Sequence, residues 1–81
     1  MKVDMFPNPV TDNATVTFEA PQKGTTTLTI TNLVGQQVYI NQLGVQQSGK
    51  VNLSLNTLAS GIYMVTLKCG DFSVTKRLAK Q

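Results

Sequence analysis

Apolar residues recur at every second position along most of this chain. Ala14, Val16 and Phe18 alternate with Thr15, Thr17 and Glu19, and Leu28 and Ile30 alternate with Thr27, Thr29 and Thr31. Val51, Leu53 and Leu55 alternate with Asn52, Ser54 and Asn56, and Val38 and Ile40 frame Tyr39. Successive side chains of a strand point to opposite faces, so this pattern gives half-buried antiparallel strands with one apolar and one polar face. An amphipathic helix needs apolar residues three and four apart, and no window supplies them.

Turn residues divide the runs. Asp12-Asn13, Pro21-Gln22-Lys23-Gly24 and Asn32-Leu33-Val34-Gly35 each read as a break, and Gly44 and Ser48-Gly49 bracket a longer loop. Gly35 is expected at positive φ. The expectation is all-β: about seven short antiparallel strands, roughly 3–6, 14–19, 25–31, 37–42, 50–55, 62–69 and 72–78, in an immunoglobulin-like β-sandwich.

Residues 1–81 are expected to form a single domain. A chain of this size buries only about 60–65% of its unfolded surface. Cys69 is the one cysteine, so no disulfide can thicken that thin core. Met1-Lys2-Val3-Asp4 leads straight into a strand, which is not the pattern of a signal peptide. The expectation is a domain cut from a longer secreted protein. Charged residues make up 14% of the chain, against roughly 25% in an average domain. The net charge is +3, spread thinly except in the tail Lys76-Arg77-Leu78-Ala79-Lys80. Nucleic-acid binders carry a dense basic stripe, so no nucleic-acid partner is expected. No apolar run approaches the roughly 20 residues of a membrane-spanning helix, so no membrane insertion is expected either.

The last hairpin can be read in register. A two-residue turn at Gly70-Asp71 pairs Cys69 with Phe72, Leu67 with Val74, Val65 with Lys76 and Tyr63 with Leu78 on one face. Lys68–Ser73, Thr66–Thr75 and Met64–Arg77 share the other. Cys69 then points inward and reads as a buried thiol. Lys76 and Lys80 fall on the apolar face, where an unpaired ammonium is costly. Either a bulge resets the alternation after Val74, or the strand is an edge where Lys76 reaches water. Such a charge is either a guard against edge-to-edge pairing or a basic determinant read by a partner.

Catalytic equipment is absent. Without histidine no Ser–His–Asp or Cys–His arrangement can be built. Asp4, Asp12, Glu19 and Asp71 lie on separate elements and show no metal-binding spacing. No glycine-rich phosphate loop is present. No cofactor is expected, and the chain is not read as an enzyme. Leu58-Ala59-Ser60-Gly61-Ile62-Tyr63 reads as a corner: Leu58 plugs the core, Gly61 allows the turn, and the Tyr63 hydroxyl bonds to backbone just upstream. Pro7-Asn8-Pro9 reads as an edge-strand terminator, since neither proline can donate to a ladder.

Four pieces in this order resemble one family, the type A C-terminal sorting domain of the type IX secretion system of Bacteroidetes. They are Phe6-Pro7-Asn8-Pro9-Val10, Leu33-Val34-Gly35-Gln36-Gln37-Val38, Leu58-Ala59-Ser60-Gly61-Ile62-Tyr63-Met64-Val65, and the basic end Val74-Thr75-Lys76-Arg77-Leu78-Ala79-Lys80-Gln81. The resemblance spans Phe6 to Gln81. It implies a domain that does no chemistry but directs an upstream cargo domain from the periplasm through an outer-membrane translocon to the cell surface. It implies as partners the type IX translocon, an outer-membrane shuttle protein and a surface sortase that commonly removes the domain. The candidate sorting determinants are Lys76, Arg77, Lys80, Gly61, Tyr63, Pro7, Asn8, Pro9 and Gly35. An adhesive or carbohydrate-binding module is the alternative; it would need exposed aromatics, and only Tyr39 offers a platform. An exposed edge strand would also let the isolated domain pair as a homodimer.

Overall fold

The structure, a computed structural model, describes residues 1–81 as five strands without a helix. They are β1 (Lys2–Phe6), β2 (Asn13–Asn32), β3 (Gln37–Ser54), β4 (Gly61–Cys69) and β5 (Phe72–Lys80). All belong to one antiparallel sheet, with order β1-β2-β4-β5 and β3 on β2. β3 runs beside both halves of β2. β1 flanks the first half, from Lys2↔Glu19 to Phe6↔Thr15, and β4 flanks the second, from Thr26↔Cys69 to Asn32↔Tyr63.

The all-β class is as expected, but the strand count is corrected from seven to five. Segments 14–19 and 25–31 are two halves of β2, and 37–42 and 50–55 are two parts of β3 with its last residue beyond the strand. Neither Pro21-Gln22-Lys23-Gly24 nor Gly44–Gly49 reverses the chain. Both halves of β2 keep the same neighbour, and the ladder only slips, between Glu19 and Gly24, between Thr26 and Thr27, and between Ile30 and Thr31. Pro21 has no N–H to give, and it falls in the stretch without ladder partners.

Bending explains how such long strands fit. Twenty residues at about 3.3 Å each would span roughly 65 Å if straight. The longest dimension of the molecule is 35 Å. The strands therefore bend, and the sheet curls around its own apolar face. This curled, open sheet stands where an immunoglobulin-like sandwich of separate strands was expected.

The apolar face is the one the alternation marked. Val16, Leu28, Ile30, Leu53, Val65, Leu67 and Leu78 form one buried cluster with Val3, Val10 and Tyr63. Gly24 makes the bend close: a Cβ there would lie 2.7 Å from the Gly70 nitrogen and 2.8 Å from its Cα. The Gly70 N–H, in turn, donates to the Thr25 carbonyl at 3.0 Å. Cys69 is buried beside this contact, as expected, with Sγ 3.4 Å from the Gln46 carbonyl.

The β4–β5 hairpin has the register read from the sequence, from Cys69↔Phe72 through Leu67↔Val74 and Val65↔Lys76 to Tyr63↔Leu78. No bulge interrupts it. Of the two accounts of Lys76, the edge therefore holds: β5 ends the sheet, and Lys76 reaches water although Val65 opposite it is buried.

Candidate functional site

The structure gathers most of the sequence-derived candidates at the last turns of β5. The Phe6-Pro7 and Asn8-Pro9 bonds are both cis, and Pro7, Asn8 and Pro9 are exposed. Asn8 lies against the outer edge of β5. Its Nδ2 donates to the Arg77 carbonyl at 3.0 Å, and its Oδ1 accepts from the Ala79 N–H at 3.1 Å. One side-chain amide thus supplies a donor and an acceptor, as a strand residue would. Val10 continues the contact with its backbone: its N–H donates to the Ala79 carbonyl at 2.9 Å, and its carbonyl accepts from the Gln81 N–H at 2.8 Å. Its side chain is fully buried. The segment is a clasp on β5 and not merely the terminator of β1.

This clasp divides the edge of β5 into two parts. Arg77, Ala79 and Gln81 turn backbone groups toward the clasp. Backbone groups alternate sides along a strand, so Ser73 and Thr75 also face outward. Beyond the clasp the edge is unpaired, since β5 has no neighbour but β4 in the sheet. A shallow cleft of about 220 Å³ opens beside the clasp, between β1 and β5. Val3, Asp4, Met5, Asn8, Lys76 and Arg77 line it.

The remaining candidates support this end. Tyr63 pairs with Leu78, is buried, and donates its hydroxyl to the Ala59 carbonyl at 2.7 Å, as the corner reading expected. Leu58 packs against the core without being fully buried. Gly61 opens β4 at a φ of +155° and pairs with Lys80. Lys80 is half-buried, and its Nζ donates to the Gln81 carbonyl at 2.9 Å. Gly35 stands apart, two strands from β5, in the tip that follows Asn32; its φ is +86°, as expected. The Asn32 side chain holds that tip, accepting from the Val34 and Gln36 N–H groups at 3.1 and 2.9 Å.

Sequence reasoning missed the clasp. The usable signal was an asparagine between two prolines: the prolines have no N–H, and asparagine alone in that stretch carries a full amide on its side chain.

A family model described as the secretion system C-terminal sorting domain matches residues 4–81. The chain belongs to that family. It is a C-terminal sorting signal of type IX secretion, and a domain of this kind implies a cargo chain, interaction with the secretion machinery, and export to the cell surface or beyond. The family is not one of enzymes. Among curated proteins, none matches the chain significantly.

Proposed function

We propose that the secretion machinery reads this sorting domain at the open part of the β5 edge. The observation that carries the reading is the division of that edge. Its C-terminal end is covered by Asn8 and Val10, whereas Ser73 and Thr75 are left with outward backbone groups beside the exposed cations Lys76 and Arg77. An extended segment of a partner would add a strand there, bonded through the main chain and oriented by acidic groups near the two cations. The clasp sets where pairing must stop.

In this reading the domain folds in the periplasm, an outer-membrane shuttle or the translocon captures β5, and the cargo is delivered to the surface. A sortase then removes the domain upstream of β1. Gly61, Tyr63, Pro7, Asn8 and Pro9 act by holding the edge in shape; Gly35 shapes the separate tip between β2 and β3; Lys76, Arg77 and Lys80 supply charge. An adhesive or carbohydrate-binding module finds less support, because Tyr39, the aromatic it would use, packs against the core.

The test is a reporter carrying a signal peptide and fused to residues 1–81, with Lys76→Glu and Arg77→Glu combined. Both side chains are exposed, so the domain keeps its fold. The reporter is expected to stay in the periplasm. Surface delivery equal to that of the unmodified fusion contradicts the proposal.

A further inference from the structure

Residues 24–49 contain no charged residue. They form the second half of β2, the hairpin tip and most of β3. The same stretch holds five of the six large apolar side chains that the molecule exposes: Leu33, Val34, Val38, Ile40 and Val45, with Leu33 71% and Val34 80% accessible. Scattered exposed apolar residues need no explanation, but a run of them on one element marks a contact surface.

β3 pairs with β2 alone, so its other edge is free along the sheet. The direction of its backbone groups follows from the ladder. Thr25 turns its carbonyl to Gly70, toward β4, so Leu28 and Ile30 turn theirs toward β3. Their partners there are Asn41 and Tyr39. Ile40 and Gln42 therefore point N–H and C=O outward, and Val38 is the residue at which the ladder slips between Gln37 and Tyr39. Edge strands are ordinarily guarded by charge, proline or brevity. β1 is short and charged, and β5 carries cations and the clasp. Over 37–49, β3 has no charge and no proline, and its only irregularities are the ladder slips at Val38 and Leu43.

We infer that this edge is a homodimer interface, in which β3 pairs antiparallel with β3 of a second copy about a two-fold axis at Tyr39. The apolar pattern selects the axis. Centring on Tyr39 sets Val38 opposite Ile40 of the second copy, twice by symmetry, and brings each Leu33–Val34 tip over Gly44–Val45 of the other. Centring one residue later sets Ile40 opposite itself but Val38 opposite Gln42, leaving one apolar pair instead of two. Identical surfaces meeting in this way must be self-complementary, and this stretch is. A second copy also meets no like charge here, as it would at the basic edge of β5. This inference does not depend on how the secretion machinery reads β5.

Sedimentation of the 81-residue chain over a range of concentrations tests the association. The chain is expected to pass from monomer to dimer as concentration rises. Ile40→Lys, at an exposed position, should weaken the dimer by about tenfold or more, because it removes both symmetric apolar pairs. A chain that stays monomeric throughout, or a dimer indifferent to Ile40→Lys, overturns the inference. Oxidative cross-linking tests the register. Val38→Cys mixed with Ile40→Cys should form a mixed disulfide dimer, since opposed Cα atoms lie about 5.5 Å apart in a hydrogen-bonded pair. Each variant alone should cross-link far less, and the unmodified chain not at all, its Cys69 being buried. Equal cross-linking by either variant alone overturns the Tyr39 axis.

Discussion

Asn8 and Arg77 are 69 residues apart in sequence, yet the Asn8 amide donates to the Arg77 carbonyl at 3.0 Å. With the bond it accepts from Ala79, that amide closes the curled sheet where β1 ends and β5 ends. The Pro-Asn-Pro motif is thus part of how the last strand is presented, and its loss should be felt as loss of stability at that edge.

Asn8→Ala removes both hydrogen bonds at once. Each such bond contributes about 0.5–1.5 kcal/mol, so the variant should lose roughly 1–3 kcal/mol in urea unfolding. Asn8→Asp keeps the acceptor for Ala79 and loses the donor for Arg77, so it should lose less. Equal stability of Asn8→Ala and the unmodified chain would show that the clasp is ornamental.

Tyr63→Phe keeps the buried ring and deletes the bond to the Ala59 carbonyl. A cost of about 1 kcal/mol is expected, read as a lower midpoint at unchanged urea slope. The corner would then be looser without the core being disturbed.

Gly24→Ala forces a Cβ against the Gly70 backbone, which cannot rotate away as a side chain could. Overpacking of this kind costs about 1–3 kcal/mol. Gly35→Ala meets nothing within 4 Å but must hold a φ near +86°. Thermal unfolding should show Gly24→Ala as the more damaging of the two.

Leu78→Ala empties a position with no solvent exposure, at a cost of about 2–5 kcal/mol. Small domains have about 5–15 kcal/mol in total. Removing residues 76–81 takes Leu78, the partners of Asn8 and the bridge to Val10 together, so the truncated domain should unfold by circular dichroism. Loss of secretion after that truncation would report unfolding as much as loss of a signal, and point substitutions on an intact fold separate the two.

Local pattern carried much of this fold. The β4–β5 register followed from one turn and the alternation on either side, because both sit within 20 residues of each other. The Tyr63 corner spans five residues and was legible for the same reason. The strand count was not. Pro21-Gln22-Lys23-Gly24 has the composition of a turn, and only the partner strand decides whether such a stretch reverses or bends; here β3 accompanies β2 past it. The clasp was hidden for a related reason, since nothing near Asn8 in sequence announces a partner at Arg77. Which of the clustered residues touch the machinery depends on a surface outside this chain, and charge alone ranks Lys76 and Arg77 without choosing between them.

The claim that sorting is read from the β5 backbone has a direct measurement. Thr75 faces outward with its N–H, so Thr75→Pro deletes one donor of the open edge and leaves the β4 ladder its hydrogen bonds. Thr75→Val removes the hydroxyl that meets Thr66 at 3.0 Å and keeps the N–H. Both should be compared in the reporter fusion, with folding checked by thermal melting of the isolated domain. Surface delivery should persist for folded Thr75→Val and fail for folded Thr75→Pro. Delivery of Thr75→Pro at the level of the unmodified fusion would contradict the account.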